Sequence, residues 1–520
     1  MFILMTVALL FATTVALVVL SLARPQFRFS WLIAVGAAFL AWMLVIFWRG
    51  LLPFSISFAP WGLEGLIPSA PTLLADQYSW IYALSLVSVA LATLLTATVR
   101  EGFPDATTLA GAVGVCGLGV LAVTAGNPLT LALIWAGLDL AELAAWLRTT
   151  AGQAASQRLV TTFAVHAGAI VLLMLAQVIS SSPTQSADFA SITPQAGLLL
   201  LAAAGLRLGV LPLHVPYVLG SSFRRGIGTS IRLTSAAASL ILLSRVPAAS
   251  LSSLPALIIL ILSAGGSLYA AWMWLRAPDE LAGRPFWIIG LAGLAMFSAL
   301  RGNPAGSVAW GTALVLTGAA LFLSSAQQVW LNRLLFVGAW EVSALPFSIT
   351  AAGWSGRGGI LDLGLPVFIV VQAFLVAGFV RHTLRPAART SLQTQPAWAR
   401  SVYPAGIGLL LVMSLLLGLW GWDGALQVGT LASSIAATVL TVGLVWAVPR
   451  LPVLNPVPAH WLKPTSPSRL EAIFKGLLGI YSGLGRASQT ITDVLEGEAG
   501  LLWTLLFLVL FIVLIVQRSP

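Results

Sequence analysis

The chain has 520 residues, 59% of them hydrophobic and only 8% charged, with a formal net charge of +10. Soluble domains carry about 25% charged residues, so this composition excludes a soluble globular protein. The basic excess lies between apolar runs, as membrane topology requires, so it is not the footprint of a nucleic-acid-binding surface.

Apolar runs close to the roughly 20 residues that span a bilayer as helix recur along the whole chain. The predicted fold class is therefore all-α: a polytopic membrane protein with about 16 transmembrane helices. In chain order the spans are expected at 2–22, 30–52, 78–99, 106–125, 128–147, 158–179, 194–213, 228–247, 252–275, 285–301, 304–324, 332–353, 363–382, 402–421, 426–449 and 500–517. The first run lacks the basic start and small-residue cleavage site of a signal peptide and reads as a retained helix. Gly126-Asn127-Pro128 and Gly302-Asn303-Pro304 separate closely spaced spans by turn chemistry. Residues 53–77 read as an extended or hairpin loop. Within 450–499, Leu470, Ile473, Phe474, Leu477, Leu478 and Ile480 fall near one face, the pattern of an amphipathic interfacial helix. The organisation is thus 1–105, N-terminal helices and an outer loop; 106–449, a transmembrane core; and 450–520, an interfacial segment with a last span.

Placing the N-terminus outside puts nineteen basic loop residues inside and only Arg49, Arg245, Arg301, Arg357 and Arg518 outside. The positive-inside rule favours that orientation, and an even number of spans returns the C-terminus to the outside. The lone cysteine, Cys116, excludes an internal disulfide and a thiolate metal cluster. No catalytic nucleophile constellation, metal-ligand cluster or cofactor-binding motif stands out, and flavin, iron–sulfur and nicotinamide signatures are absent from the sequence.

Ionisable groups inside apolar runs are expensive, and each is a candidate for function. They are Asp139, Glu142, His166, Arg207, His214 near a span end, and Glu341. Arg232 lies near a span start, where its head is expected to snorkel to the interface. Asp139 and Glu142 are three apart in LIWAGLDLAELAAWL and share one helical face. With Arg207 and a histidine they form either a proton path or a static ion pair, and the sequence favours neither.

The stretch GLRLGVLPLHVPYVLG resembles the seventh helix of the antiporter-like membrane subunits of respiratory complex I, shared with multi-subunit sodium/proton antiporters and membrane-bound hydrogenases. That helix carries a lysine five residues before a Pro-Leu-His or Pro-Phe-His turn; here Arg207 stands five residues before Pro212-Leu213-His214. Asp76-Gln77-Tyr78-Ser79, Trp135-Ala136-Gly137-Leu138-Asp139-Leu140, Ser343-Ala344-Leu345-Pro346 and the tail LEGEAGLLWTLLFLVLF resemble further family motifs in the right order.

The resemblance implies two inverted-repeat helix bundles, broken helices near Pro212 and Pro346, and a proton-translocating membrane subunit of an NADH:quinone oxidoreductase-like assembly. It implies other membrane subunits of a complex I-like, antiporter or hydrogenase complex as partners, the lipid bilayer as surroundings, protons or sodium ions as cargo, and a prokaryotic plasma membrane as location. Any redox chemistry would belong to partners. Yet the relay departs from the pattern. The family's fifth-helix glutamate aligns with Ala136, and Asp139 lies about 4.5 Å further along the axis. Later lysines align near Gly318 and Trp354, and the lysine or glutamate expected in the exit half-channel has no counterpart in LGLPVFIVVQAFLVAGF, where Gln372 is the only strongly polar residue. Arginine does not release its proton, so a structural or coupling role competes with translocation. A stand-alone secondary transporter with an intramembrane Arg–carboxylate site is the alternative.

Overall fold

The computed structural model describes residues 2–447, apart from 25–26, 28, 60–69, 101–102, 148–152, 182–187, 216–224, 357–358, 385–389 and 424, together with 450 and 456. The expected amphipathic segment and the span at 500–517 lie outside the described residues.

Among the described residues there are fifteen α-helices. They are α1 (Phe2–Ala23), α2 (Ser30–Trp48), α3 (Gln77–Thr96), α4 (Ala106–Val123), α5 (Pro128–Leu147), α6 (Gln153–Ser180), α7 (Pro194–Arg207) and α8 (Ile227–Leu243), followed by α9 (Leu254–Leu275), α10 (Glu280–Leu300), α11 (Pro304–Leu323), α12 (Val329–Glu341), α13 (Leu365–Leu384), α14 (Ala397–Trp420) and α15 (Leu431–Ala447). Eleven are long and apolar enough to cross a membrane, which makes this a multi-pass integral membrane protein.

The helix starts follow local chemistry. Asp76 caps α3 in a reciprocal box with Ser79, and Thr193 caps α7 ahead of Pro194. Asn303 accepts from the Gly306 amide at 2.8 Å and sends its own amide to the Ala352 and Ser355 carbonyls at 3.0 Å. Pro304 then supplies a first helical residue that needs no N–H partner. The loop after α2 is the expected hairpin: β1 (Phe54–Ser57) pairs antiparallel with β2 (Thr72–Ala75). Gly126 donates to the Thr72 carbonyl and Leu74 to that of Thr124, fastening the hairpin to the α4–α5 turn.

Two five-membered rings organise the helices. α4, α5, α6, α7 and α8 pack in succession, and α8 closes on α4; α9, α10, α11, α12 and α13 do the same, with α13 closing on α9. Five passes leave the chain on the opposite face from where it entered, so the second ring repeats the first upside down. α8 against α11 joins the rings, and α3 packs on both. Every residue of α8 is buried, as is most of α3, α10 and α11. Helices apolar all round are stable in such a position because protein surrounds them. In α1, α2, α6, α9 and α15 large apolar side chains stay exposed.

In each ring the fourth helix is short. α7 has 14 residues and α12 has 13, about 20 Å at 1.5 Å per residue against a hydrocarbon core of about 30 Å. The broken helices expected near Pro212 and Pro346 are therefore present, but each stops five residues before its proline. The last helical residue is Arg207 in one and Glu341 in the other.

Arg49, Arg245 and Arg301, each just beyond a helix end, are consumed locally. Arg49 donates to the Gly421 and Trp420 carbonyls at 2.6 and 2.9 Å. Arg245 grips Asp76 through both terminal nitrogens, and Arg301 holds Asp362 at 2.6 Å. Arg232, expected to snorkel, is only 3% exposed: neighbouring helices enclose it before its head can reach an interface.

Candidate functional site

The site is assembled by four helices of the first ring. α5 supplies Asp139 and Glu142, α6 supplies His166, α7 ends on Arg207, and α8 lays Ser235 and Ser239 alongside. Arg207 Nη1 and Nη2 donate to Asp139 Oδ2 and Oδ1, each at 2.7 Å. This is the bidentate fork that a planar guanidinium makes with a carboxylate. Arg207 Nε reaches Ser239 Oγ at 3.3 Å, and the guanidinium lies 4.4 Å from the ring centre of Trp135.

His166 Nδ1 is 2.9 Å from Asp139 Oδ1. An ionised carboxylate only accepts, so Nδ1 carries a proton there, and in the neutral ring Nε2 keeps a lone pair. That Nε2 and Glu142 Oε1 are buried without a hydrogen-bond partner among the described residues. One ligating atom each from Asp139, Glu142 and His166 lies within 4.8 Å of the others. Such a trio would suit a divalent cation, but Arg207 occupies both oxygens of Asp139 and already supplies the positive charge.

All four groups are at most 6% exposed. Of the six candidates read from the sequence, the structure joins Asp139, His166 and Arg207 directly and sets Glu142 beside them. Of the other two, His214 lies within electrostatic reach of His166 without bonding to the cluster, and Glu341 lies apart. His214 Nδ1 turns back to the carbonyl of Pro212 at 2.8 Å. Glu341 ends α12 in the second ring. Trp135 and Ser239 are site residues that the apolar pattern concealed; Ser235 and Ser239, four apart on the fully buried α8, were the available signal.

Where the family places lysines in the second ring, this chain has aromatic packing. A Cβ at Gly318 would meet Trp287 Nε1 at 2.5 Å. The indole fills the space and donates to the Leu314 carbonyl at 3.3 Å. Trp354 Nε1 donates to Gln372 Oε1 at 3.1 Å, and Gln372 Nε2 to the Val342 carbonyl at 2.9 Å. Gln372 is spent on structure.

No family model matches the sequence, and no curated protein matches it. Solved structures do. Over 100% of this chain it superposes on 63% of a chain in the Mrp complex from Dietzia sp. DQ12-45-1b, with a TM-score of 0.69 and 14% identity. The fold is that of the antiporter-like membrane subunits. A chain of respiratory complex I from Thermus thermophilus matches over 86% of this chain and 100% of its own length, at TM-score 0.61 and 16% identity. A chain of the membrane-bound sulfane sulfur reductase, an archaeal respiratory membrane complex, matches over 97% and 99%, at 0.60 and 15%. This chain spans 63% of the length of the Mrp chain.

Proposed function

We propose that this antiporter-like chain is a membrane subunit of a complex I-like or Mrp-type assembly in a prokaryotic plasma membrane, with its N-terminus outside. Within it, the first ring acts as an electrostatic and structural element rather than as a lysine relay. The observation that carries the reading is the buried, bidentate Arg207–Asp139 pair. A relay group must gain and lose a proton in the working pH range; a guanidinium does not. Arg207 holds Asp139 ionised and fixes α7 to α5. His166 and Glu142 are the remaining groups able to exchange protons there, and their unpaired atoms offer places for water.

A stand-alone transporter binding an anion through Arg207 is the weaker reading. The guanidinium fork is spent on Asp139, its Nε on Ser239 and one face on Trp135, so Arg207 offers a substrate no open cationic site. The test has two parts. Mild extraction from native membranes should recover this chain with other membrane subunits, whereas a transporter would be recovered alone. In vesicles holding the assembly, proton uptake at fixed turnover should rise when Arg207 is replaced by Lys. Full stoichiometry in the native assembly, unchanged by that substitution, would refute the loss of the relay.

A further inference from the structure

A second group of arginines lies apart from the Arg207 cluster, where α3 and α11 end and α8 and α10 begin. α8 starts at Gly226, whose φ is +69° and which brings no side chain to cap the helix. Thr229 and Ser230 donate back to the Gly226 carbonyl at 2.9 and 3.0 Å, but the amides of Ile227 and Gly228 have no acceptor among the described residues. Both residues are buried. Buried amides at a helix start need an acceptor, and such a start carries roughly half a positive charge.

Three guanidinium groups gather round this end of the helix. Arg100, just past α3, lies against Gly226: a Cβ there would overlap Arg100 Nη1. Glycine leaves that space and also permits the left-handed φ. Arg225 directly precedes the cap. Arg284 of α10 donates to Thr229 Oγ1, in the first turn, at 2.6 Å. A cation is favoured at a helix C-terminus, not at its start, so the backbone opposes the charge of each. Arg225 is also close enough to Arg100 to disfavour its charge.

The nearby acids are committed elsewhere. Glu280 accepts from Arg225 Nη2, and Asp279 accepts from the Ala282 amide at the start of α10. Arg225 Nη1 donates to the Phe322 and Ser324 carbonyls. Arg100 Nη2 donates to the Thr93 carbonyl and to Thr96 Oγ1, at 3.3 and 2.9 Å. Those oxygens satisfy N–H groups without supplying a counter-charge. Arg100 Nε is buried with no hydrogen-bond partner among the described residues. Arg100 is thus a cation without a carboxylate, set against the positive end of a helix and two unpaired amides. The Arg225 side chain is 23% exposed, so the group is not sealed.

We propose that Arg100 and the first turn of α8 form an anion site that takes a phosphate group. A guanidinium fork beside the amides of a helix N-terminus is a donor set that matches phosphate oxygens. α3, α4, α7, α10 and α11 all pack on α8. The site therefore lies within the helix array rather than at its rim, which favours a phosphate arriving from water over a lipid headgroup. It is separate from the first-ring cluster: Ser239, which meets Arg207, is thirteen residues, about 19.5 Å, further along α8.

The test uses the full chain in phosphatidylcholine nanodiscs, with radiolabelled inorganic phosphate as the probe. One phosphate should bind per chain, displaced by sulfate but not by chloride at equal ionic strength. Arg100→Gln should weaken binding roughly tenfold or more. Arg49→Gln, which removes a guanidinium held by the Gly421 and Trp420 carbonyls, should leave it unchanged. The native chain gives a second measurement without a variant: phosphate should raise its unfolding temperature, and chloride at equal ionic strength should not. Replacing part of the phosphatidylcholine with phosphatidylglycerol separates the two sources of phosphate. Binding that persists supports a soluble phosphate compound, and binding lost to the anionic lipid supports its headgroup. No saturable phosphate binding in the neutral nanodiscs, or binding untouched by Arg100→Gln, would overturn the site.

Discussion

The two five-helix rings are built alike and finished in opposite ways. Each has a short fourth helix, and each ends it on an ionisable residue. In the first ring that residue is a cation, Arg207, joined to Asp139 of α5 and through it to His166 of α6. In the second it is an acid, Glu341, with no cation bonded to it among the described residues, while in the ring's interior Trp274 packs on Trp287, and Phe297 on Trp354 and Phe368. A cation at a helix C-terminus is favoured by the backbone dipole and an anion is not. The same backbone device therefore stabilises a charge in one ring and discourages it in the other.

The largest expected effect breaks the first ring. Arg207→Met should lower stability by about 3–5 kcal/mol, because Asp139 is left buried beside only His166; thermal unfolding in detergent measures it. Adding Asp139→Leu should recover much of that loss, and a double variant no better than the single would show that Asp139 is hydrated. Next comes the aromatic filling of the second ring. Trp287→Ala should cost about 3–5 kcal/mol through the cavity it opens. Gly318→Lys alone should fail to fold, whereas Gly318→Lys with Trp287→Ala should yield more folded protein than Gly318→Lys. Equal yields would mean that the indole does not define that space.

A smaller change sharpens the first ring. His166→Phe removes one of three hydrogen bonds to Asp139 and should cost about 1–2 kcal/mol, leaving the Arg207 pair intact. The smallest effect lies outside both interiors, at the α3 cap. Burial raises the Asp76 carboxyl, but the Arg245 guanidinium and the Ser79 amide outweigh it and hold it below the usual carboxylate range. A depressed acid stabilises the fold above its unfolded value, near pH 4, and that contribution disappears as pH falls through the lower, folded value. Asp76→Asn should remove about 1 kcal/mol at neutral pH and flatten the acid limb of the stability curve; an unchanged limb would assign it to other carboxylates.

Much of this fold was legible in the sequence because hydropathy reports length directly. The starts of α5 and α11 fell at Pro128 and Pro304, as the Gly-Asn-Pro turns announced. The breaks were placed less well. Spans were expected to run on to 213 and 353, but the helices stop at Arg207 and Glu341, since apolar composition continues through Leu208–Leu211 and Val342–Leu345 while the backbone turns. The candidate site was legible as a list of costly residues, not as a geometry. Asp139 and Glu142 share a face, and only the approach of α6 and α7 decides which one Arg207 takes. The occupation of the Gly318 space by Trp287 had no local signal, because the two residues lie on different helices.

The Arg207–Asp139 pair also sets how far the first ring can be felt. Two opposite unit charges held 2.7 Å apart form a dipole whose field falls with the cube of distance, whereas the field of a lone lysine falls with the square. The bidentate fork fixes the geometry of the pair, so its dipole is as fixed in direction as that of a helix. A titrating group nearby would sense a fixed polarisation from this pair and never a pulse. Any signal crossing the pair must then travel as displaced helices, rearranged water or protons on His166 and Glu142.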